Sequence, residues 1–161
     1  MNSSNAEWLV IDAGAGYALS VMDAETSSLR ADVTANVRRG MQLCAPTLWR
    51  YELTSIFTKA IYFGQLTEVL AGQALALSSE IAITLVTPDD ELVRQAYDWT
   101  LRLKRAAAYD SFYLALARRL DCMLWTTDRH LANAVAEPWI RYVGNMQQDP
   151  TSPEDHPKAA C

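Results

Sequence analysis

Short, mostly apolar runs alternate along this chain with longer stretches whose apolar residues recur at helical spacing. Residues 8–11, 41–45, 83–86, 122–126 and 139–143 are the runs. Residues 8–11 are continuously apolar, as a strand buried on both faces of a parallel sheet should be, and the others are mostly apolar. Between them, helical spacing predicts helices over 17–22, 29–39, 47–63, 67–82, 89–103, 110–120 and, shorter, 131–135. Punctuation agrees: Gly40 and Gly64 stand as stops, and Thr47 and Thr67 stand where helices begin. Pro88 precedes Asp89, Asp90 and Glu91, three acids that suit the positive end of a helix dipole and are read as structural. Strand and helix in alternation predict an α/β fold around a parallel sheet.

Composition narrows the class. At 161 residues the chain is expected to form one domain over 1–146. Residues 147–161 carry three prolines and almost no apolar side chains, so a disordered tail is expected there. The formal net charge of -5 argues against binding a polyanion through a general basic field. If nucleic acid is the substrate, bound metal and local Lys and Arg must offset its phosphates. Cys44, Cys122 and Cys161 lack metal-ligand spacing, and the first two lie in apolar runs, where a buried reduced thiol is the expected state. The opening residues lack a basic segment followed by a long apolar one, and no run approaches a membrane span; a reducing cytoplasm is the expected setting.

The acids carry the chemistry. Asp12 follows the first strand directly, and a helix cap and a site residue are both open readings for it. Glu52 shares a helix face with Leu48 and Ile56, so its carboxylate must be paired, protonated or metal-bound, unless the helix is rotated to leave it in solvent. A salt bridge to Arg50 or Lys59 would satisfy it too. Residues 108–131 form the densest unit: Asp110 heads an apolar helix, a short strand follows, and Asp128 comes just after it. In a parallel α/β fold, ligands bind outside the carboxyl ends of the strands. Strand ends and helix starts share that edge, so Asp12, Glu52, Asp110 and Asp128 are expected to converge. Two carboxylates about 4 Å apart repel by roughly 4 kcal/mol at an effective dielectric of 20. A hard divalent ion, Mg2+ or Mn2+, relieves that cost with oxygen ligands. Phosphodiester hydrolysis by metal-activated water is the chemistry such a cluster suits.

The succession VIDAG, PTLWRYEL, AYDSFYLALA and LWTTDRHL resembles the PIN domain, and most closely the VapC-type toxins of type II toxin–antitoxin systems, over residues 8–143. The resemblance implies a three-layer α/β/α fold with a central parallel five-stranded sheet of order 3-2-1-4-5. It implies an endoribonuclease dependent on Mg2+ or Mn2+ that cuts RNA such as tRNA or rRNA. It also implies a homodimer and a cognate VapB-type antitoxin whose C-terminal segment blocks the groove. Its four acids fall on Asp12, Glu52, Asp110 and Asp128, and its supporting hydroxyl on Thr126. Arg102, Lys104, Arg105 and Arg129 flank these positions as candidate RNA contacts, the alternative being solvated charges at helix ends.

One position departs from the pattern. The family commonly carries Ser or Thr two residues after its first aspartate, where this chain has Gly14. A lost hydroxyl is worth about 1 kcal/mol if it bonded a charged group. Metal binding is expected to persist and turnover to fall. The competing reading is a PIN-fold module with weak or no catalysis, acting by dimerisation or partner binding; four retained acids weigh against it. A phosphatase of the haloacid-dehalogenase type would need a second acid where Gly14 stands.

Overall fold

The computed structural model describes residues 7–21 and 26–144; the tail expected over 147–161 lies outside them. In chain order the elements are β1 (Trp8–Ile11), α1 (Ala13–Ser20), α2 (Ser27–Arg38), β2 (Gln42–Pro46), α3 (Trp49–Tyr62), α4 (Glu68–Ser79), β3 (Ile83–Val86), α5 (Asp90–Arg102), α6 (Tyr109–Arg119), β4 (Met123–Thr126), α7 (Arg129–Val135) and β5 (Ile140–Tyr142). All four strand pairings are parallel, and the sheet order is β3-β2-β1-β4-β5, as the resemblance implied.

β1 is central because it is the most apolar strand. Leu9, Val10 and Ile11 are fully buried, and Val10 lies between Cys44 of β2 and Leu124 of β4. Right-handed crossovers carry the chain from β1 to β2 to β3 on one face of the sheet, then back across to β4 and β5 on the other. Accordingly α1 packs on α3 and α4, while α5 packs on α6. Winding therefore reverses between β1 and β4, and a crevice opens at their C-terminal ends. No helix among the described residues is long and apolar enough to cross a membrane.

α1 begins four residues earlier than its apolar pattern predicts. Asp12 turns the chain directly from β1 into the helix by accepting the Ala15 N–H at 2.7 Å, so Gly14 and Gly16 are helical rather than loop residues. Glycine in a helix costs about 1 kcal/mol against alanine, and at Gly16 the reason is visible. A Cβ there would lie 2.4 Å from the Trp49 ring, which is wholly buried. Asp89 caps α5 through the Leu92 N–H and pairs with Arg119, the structural part expected of it. Cys44 is a buried free thiol with its pKa pushed up to about 12 by burial, and Cys122 is a half-buried free thiol.

Candidate metal centre

Asp12, Glu52, Asp110 and Asp128 line one cleft of about 550 Å3 at the C-terminal edge of the sheet. They arrive from four elements: the end of β1, the first turn of α3, the first turn of α6 and the turn after β4. Convergence depends on the fold and not on sequence proximity, since Asp12 and Thr126 are bonded across a separation of 114 residues.

Each acid is held differently. Asp12 both caps α1 and faces the cleft: its Oδ2 accepts the Thr126 hydroxyl at 2.5 Å and the Thr127 N–H at 3.0 Å, and its Oδ1 accepts the Ala15 N–H. Asp12 is thus a helix cap whose carboxylate also lines the cleft. An oxygen accepts about two hydrogen bonds, so Oδ1 keeps a lone pair in reserve. Thr126 is fully buried, and its oxygen also accepts the Asp128 N–H at 2.9 Å, tying the β1 and β4 acids together. Asp128 caps α7 by accepting the Leu131 N–H at 2.8 Å through Oδ1.

Glu52 is half-buried and takes a proton donor from an unexpected side: the Tyr113 hydroxyl of α6 at 2.5 Å. It forms no ion pair with Arg50 or Lys59 among the described residues. Burial and the neighbouring Glu52 charge push the Tyr113 phenol far above its ordinary range, so it remains a donor. Asp110 meets Arg105 at 2.5 Å, and the same guanidinium nitrogen lies 3.7 Å from Asp128.

Electrostatics mark the cluster as over-supplied with negative charge. Desolvation raises Asp12 to about 6 against the Thr126 and backbone hydrogen bonds that lower it, with Asp110 adding repulsion. Burial raises Glu52 as well, with Asp110 and Asp12 contributing. Asp110 is raised first by burial, then by Asp128, with Arg105 opposing. Oxygen-only donors with surplus charge fit a hard divalent cation. The side chains are not a finished cage, however: among the described residues no three acidic, His or Cys groups stand close enough together to hold a metal. Arg105 draws Asp110 aside, and Tyr113 holds Glu52, so cation binding requires these side chains to be re-aimed.

The raised acids set a pH dependence. An acid whose folded pKa exceeds its unfolded one binds its proton more tightly when folded. Its stabilising effect is complete below the unfolded value and is lost as pH rises through the folded one. For Asp12, from 3.8 to about 6, that loss is about 3 kcal/mol. In chelator, the melting temperature should therefore rise between pH 7 and pH 5, and Asp12→Asn should flatten the rise. Calorimetry at the two pH values checks this; a wild-type melting temperature that falls over that window contradicts it.

The basic candidates separate. Arg105 is engaged with the acids, and Lys104 is exposed in a left-handed turn at φ 54°. Arg102 lies over the Trp99 ring and Arg129 over the Tyr142 ring, both at 4.8 Å, and neither lines the cleft. Among the lining residues not singled out as site residues from sequence are Lys59, Thr127 and, as a donor, Tyr113. Lys59 follows Glu52 by two helical turns, a spacing that could have placed it.

A PIN-like α/β fold with an acid-lined cleft at its switch point is what these elements make. Among solved structures, VapC20 of Mycobacterium tuberculosis, described as a sarcin-ricin loop cleaving toxin, has a TM-score of 0.55 at 15% identity, over 78% of this chain and 94% of that one. PAE2754 from Pyrobaculum aerophilum has a TM-score of 0.56 at 23% identity, over 81% and 80%. At these identities the likeness is one of fold. No family model matches the chain, and no curated protein matches it.

Proposed function

We propose that this protein is a metal-dependent endoribonuclease, the toxin of a VapBC-type toxin–antitoxin pair working in the cytoplasm. The observation that carries the reading is the meeting of Asp12, Glu52, Asp110 and Asp128 in one cleft at the switch point of a PIN-like sheet. That a structural neighbour is described as a sarcin-ricin loop cleaving toxin supports it. Asp12, through Oδ1, with Glu52, Asp110 and Asp128 would hold Mg2+ or Mn2+. A bound ion supplies an acidified water and a polarised phosphate.

The chain's own residues do the rest. Thr126 and the Thr127 N–H fix the Asp12 carboxylate before substrate arrives, and the Tyr113 hydroxyl satisfies Glu52 until a cation re-aims it. Arg105 balances Asp110 and Asp128 while no other cation does. Lys59 on the cleft wall, with Arg105 against Asp110 and Asp128, provides positive charge toward RNA phosphates that the net charge of -5 otherwise disfavours, and exposed Lys104 would add to it. Exposed Tyr62 and Phe63 at the end of α3, and Val69 and Leu70 on α4, give an apolar surface suited to a homodimer or to a VapB-type antitoxin.

Incubating the full chain with a mixed-sequence single-stranded RNA pool and Mg2+ or Mn2+ should yield fragments with 5′-phosphate and 3′-hydroxyl ends. EDTA should stop the reaction. Millimolar Mg2+ should also raise the melting temperature at pH 7, because binding to the folded state stabilises it by mass action. Cleavage that persists unchanged in EDTA removes the metal from the mechanism. An absence of both cleavage and thermal shift favours the non-catalytic module.

A further inference from the structure

Gly14 and Thr127 face each other across the floor of the cleft, and their fit is closer than packing alone requires. A Cβ at position 14 would lie 1.9 Å from Thr127 Oγ1, 3.2 Å from its Cβ and 3.5 Å from Asp12 Oδ1. The Thr127 hydroxyl thus occupies the space that any side chain at position 14 would fill, beside the one Asp12 oxygen with a lone pair in reserve. Glycine is retained there at a helical position, where alanine would be favoured by about 1 kcal/mol.

The donors around the acids explain why that placement matters. Thr126 donates its hydroxyl to Asp12, Tyr113 to Glu52, Arg105 its guanidinium to Asp110, and Ser55 its hydroxyl to the Tyr51 carbonyl. Thr127 is half-buried, its N–H is given to Asp12, and its hydroxyl has no partner among the described residues. A phosphate group entering among carboxylates needs a donor that is not already spent, and the Thr127 hydroxyl is such a donor in the cleft lining, on a residue whose N–H already holds Asp12.

We infer that Thr127 is a substrate contact of this site, its hydroxyl donating to a non-bridging phosphate oxygen of bound RNA, and that Gly14 is there to make room for it. The inference rests on the ribonuclease reading. Thr127→Val keeps the side chain's shape and the N–H to Asp12 while removing only the hydroxyl. Gly14→Ala must rotate that hydroxyl out of its place while favouring α1.

The test measures steady-state cleavage of an RNA from the pool that the wild type cuts. It also measures anisotropy binding of the same RNA in an Asp110→Asn background, and melting temperature. Thr127→Val and Gly14→Ala should each lower kcat/KM by about tenfold, chiefly through KM, with RNA binding weakened alike and no loss of melting temperature. Thr127→Ser should stay near wild type. Gly14→Ser combined with Thr127→Ala, which offers a hydroxyl from the opposite wall, should recover much of the loss. Wild-type cleavage with an unaffected Thr127→Val overturns the contact and leaves the ribonuclease standing. A Gly14→Ala protein with wild-type KM overturns the steric half. A wild type that neither binds nor cuts RNA overturns the ribonuclease and the contact together.

Discussion

Asp110→Asn should lower RNA cleavage at saturating Mg2+ by at least about 100-fold, while leaving the fold within about 1 kcal/mol of wild type. The substitution keeps the shape of the side chain in the first turn of α6 and removes only its charge. Asp110 is forced toward its neutral form first by burial and then by Asp128, and its ordinary relief is Arg105. An acid in that position repels its neighbours unless a cation is near, so its stabilising value in the free protein is small. Under the proposed function its value to a bound cation would be large, because the variant removes one of the four carboxylates that would hold it. What an acid at a helix start contributes through the dipole is the part that melting will feel. Arg105 keeps Asp128 as a partner in the variant, at the 3.7 Å already present. A loss of activity that merely tracks a loss of melting temperature would make Asp110 a structural residue and sink its assignment to the centre.

How far the sequence carried can be judged from particular residues. The five strands were legible because each lies in a short, mostly apolar run and the sheet buries both faces of its centre, as Leu9 to Ile11 show. Pattern alone reached a parallel α/β fold; the strand order came from the resemblance, and the sheet has it. Asp12 and Asp128 were legible because strand ends in such folds face the ligand edge. Glu52 was legible because a carboxylate among apolar neighbours needs a reason. What satisfies it was not legible: Tyr113 reads as a core ring, and it is buried, yet its hydroxyl crosses 61 residues of sequence to reach Glu52. Helical spacing reports which face a residue occupies and says nothing about the polar tip of an otherwise apolar side chain. The start of α1 was misplaced for a related cause. Gly14 and Gly16 look like loop residues locally, and their purpose is to admit Thr127 and Trp49, which arrive from distant elements. The ring over which Arg129 lies, Tyr142, comes from β5 and was not legible locally, whereas Trp99 stands three residues before Arg102 on α5, a helical spacing that could have paired them.

Trp49→Ala should cost about 3–5 kcal/mol of stability, the largest loss expected from any single change in the chain. The indole is fully buried between α1 and α3, where the absence of a Cβ at Gly16 lets the ring lie against the helix backbone. Its truncation leaves a void that glycine opposite cannot fill, so the transfer and cavity costs add. Its Nε1 also donates to the Asp12 carbonyl at 3.1 Å, which ties the core to the first residue of the cleft. With total stability of a domain on the order of 5–15 kcal/mol, such a loss is a large fraction, and the melting temperature should drop by on the order of 10 °C. Trp49→Phe separates the two contributions: most of the ring remains, the hydrogen bond goes, and about 1 kcal/mol should be lost. Because Asp12 is positioned partly through its carbonyl, Trp49→Phe should also weaken Mg2+ binding relative to wild type, measured by calorimetric titration at a temperature where both are folded. A Trp49→Ala protein that unfolds within about 1 kcal/mol of wild type in urea would show that the indole is not the keystone between α1 and α3.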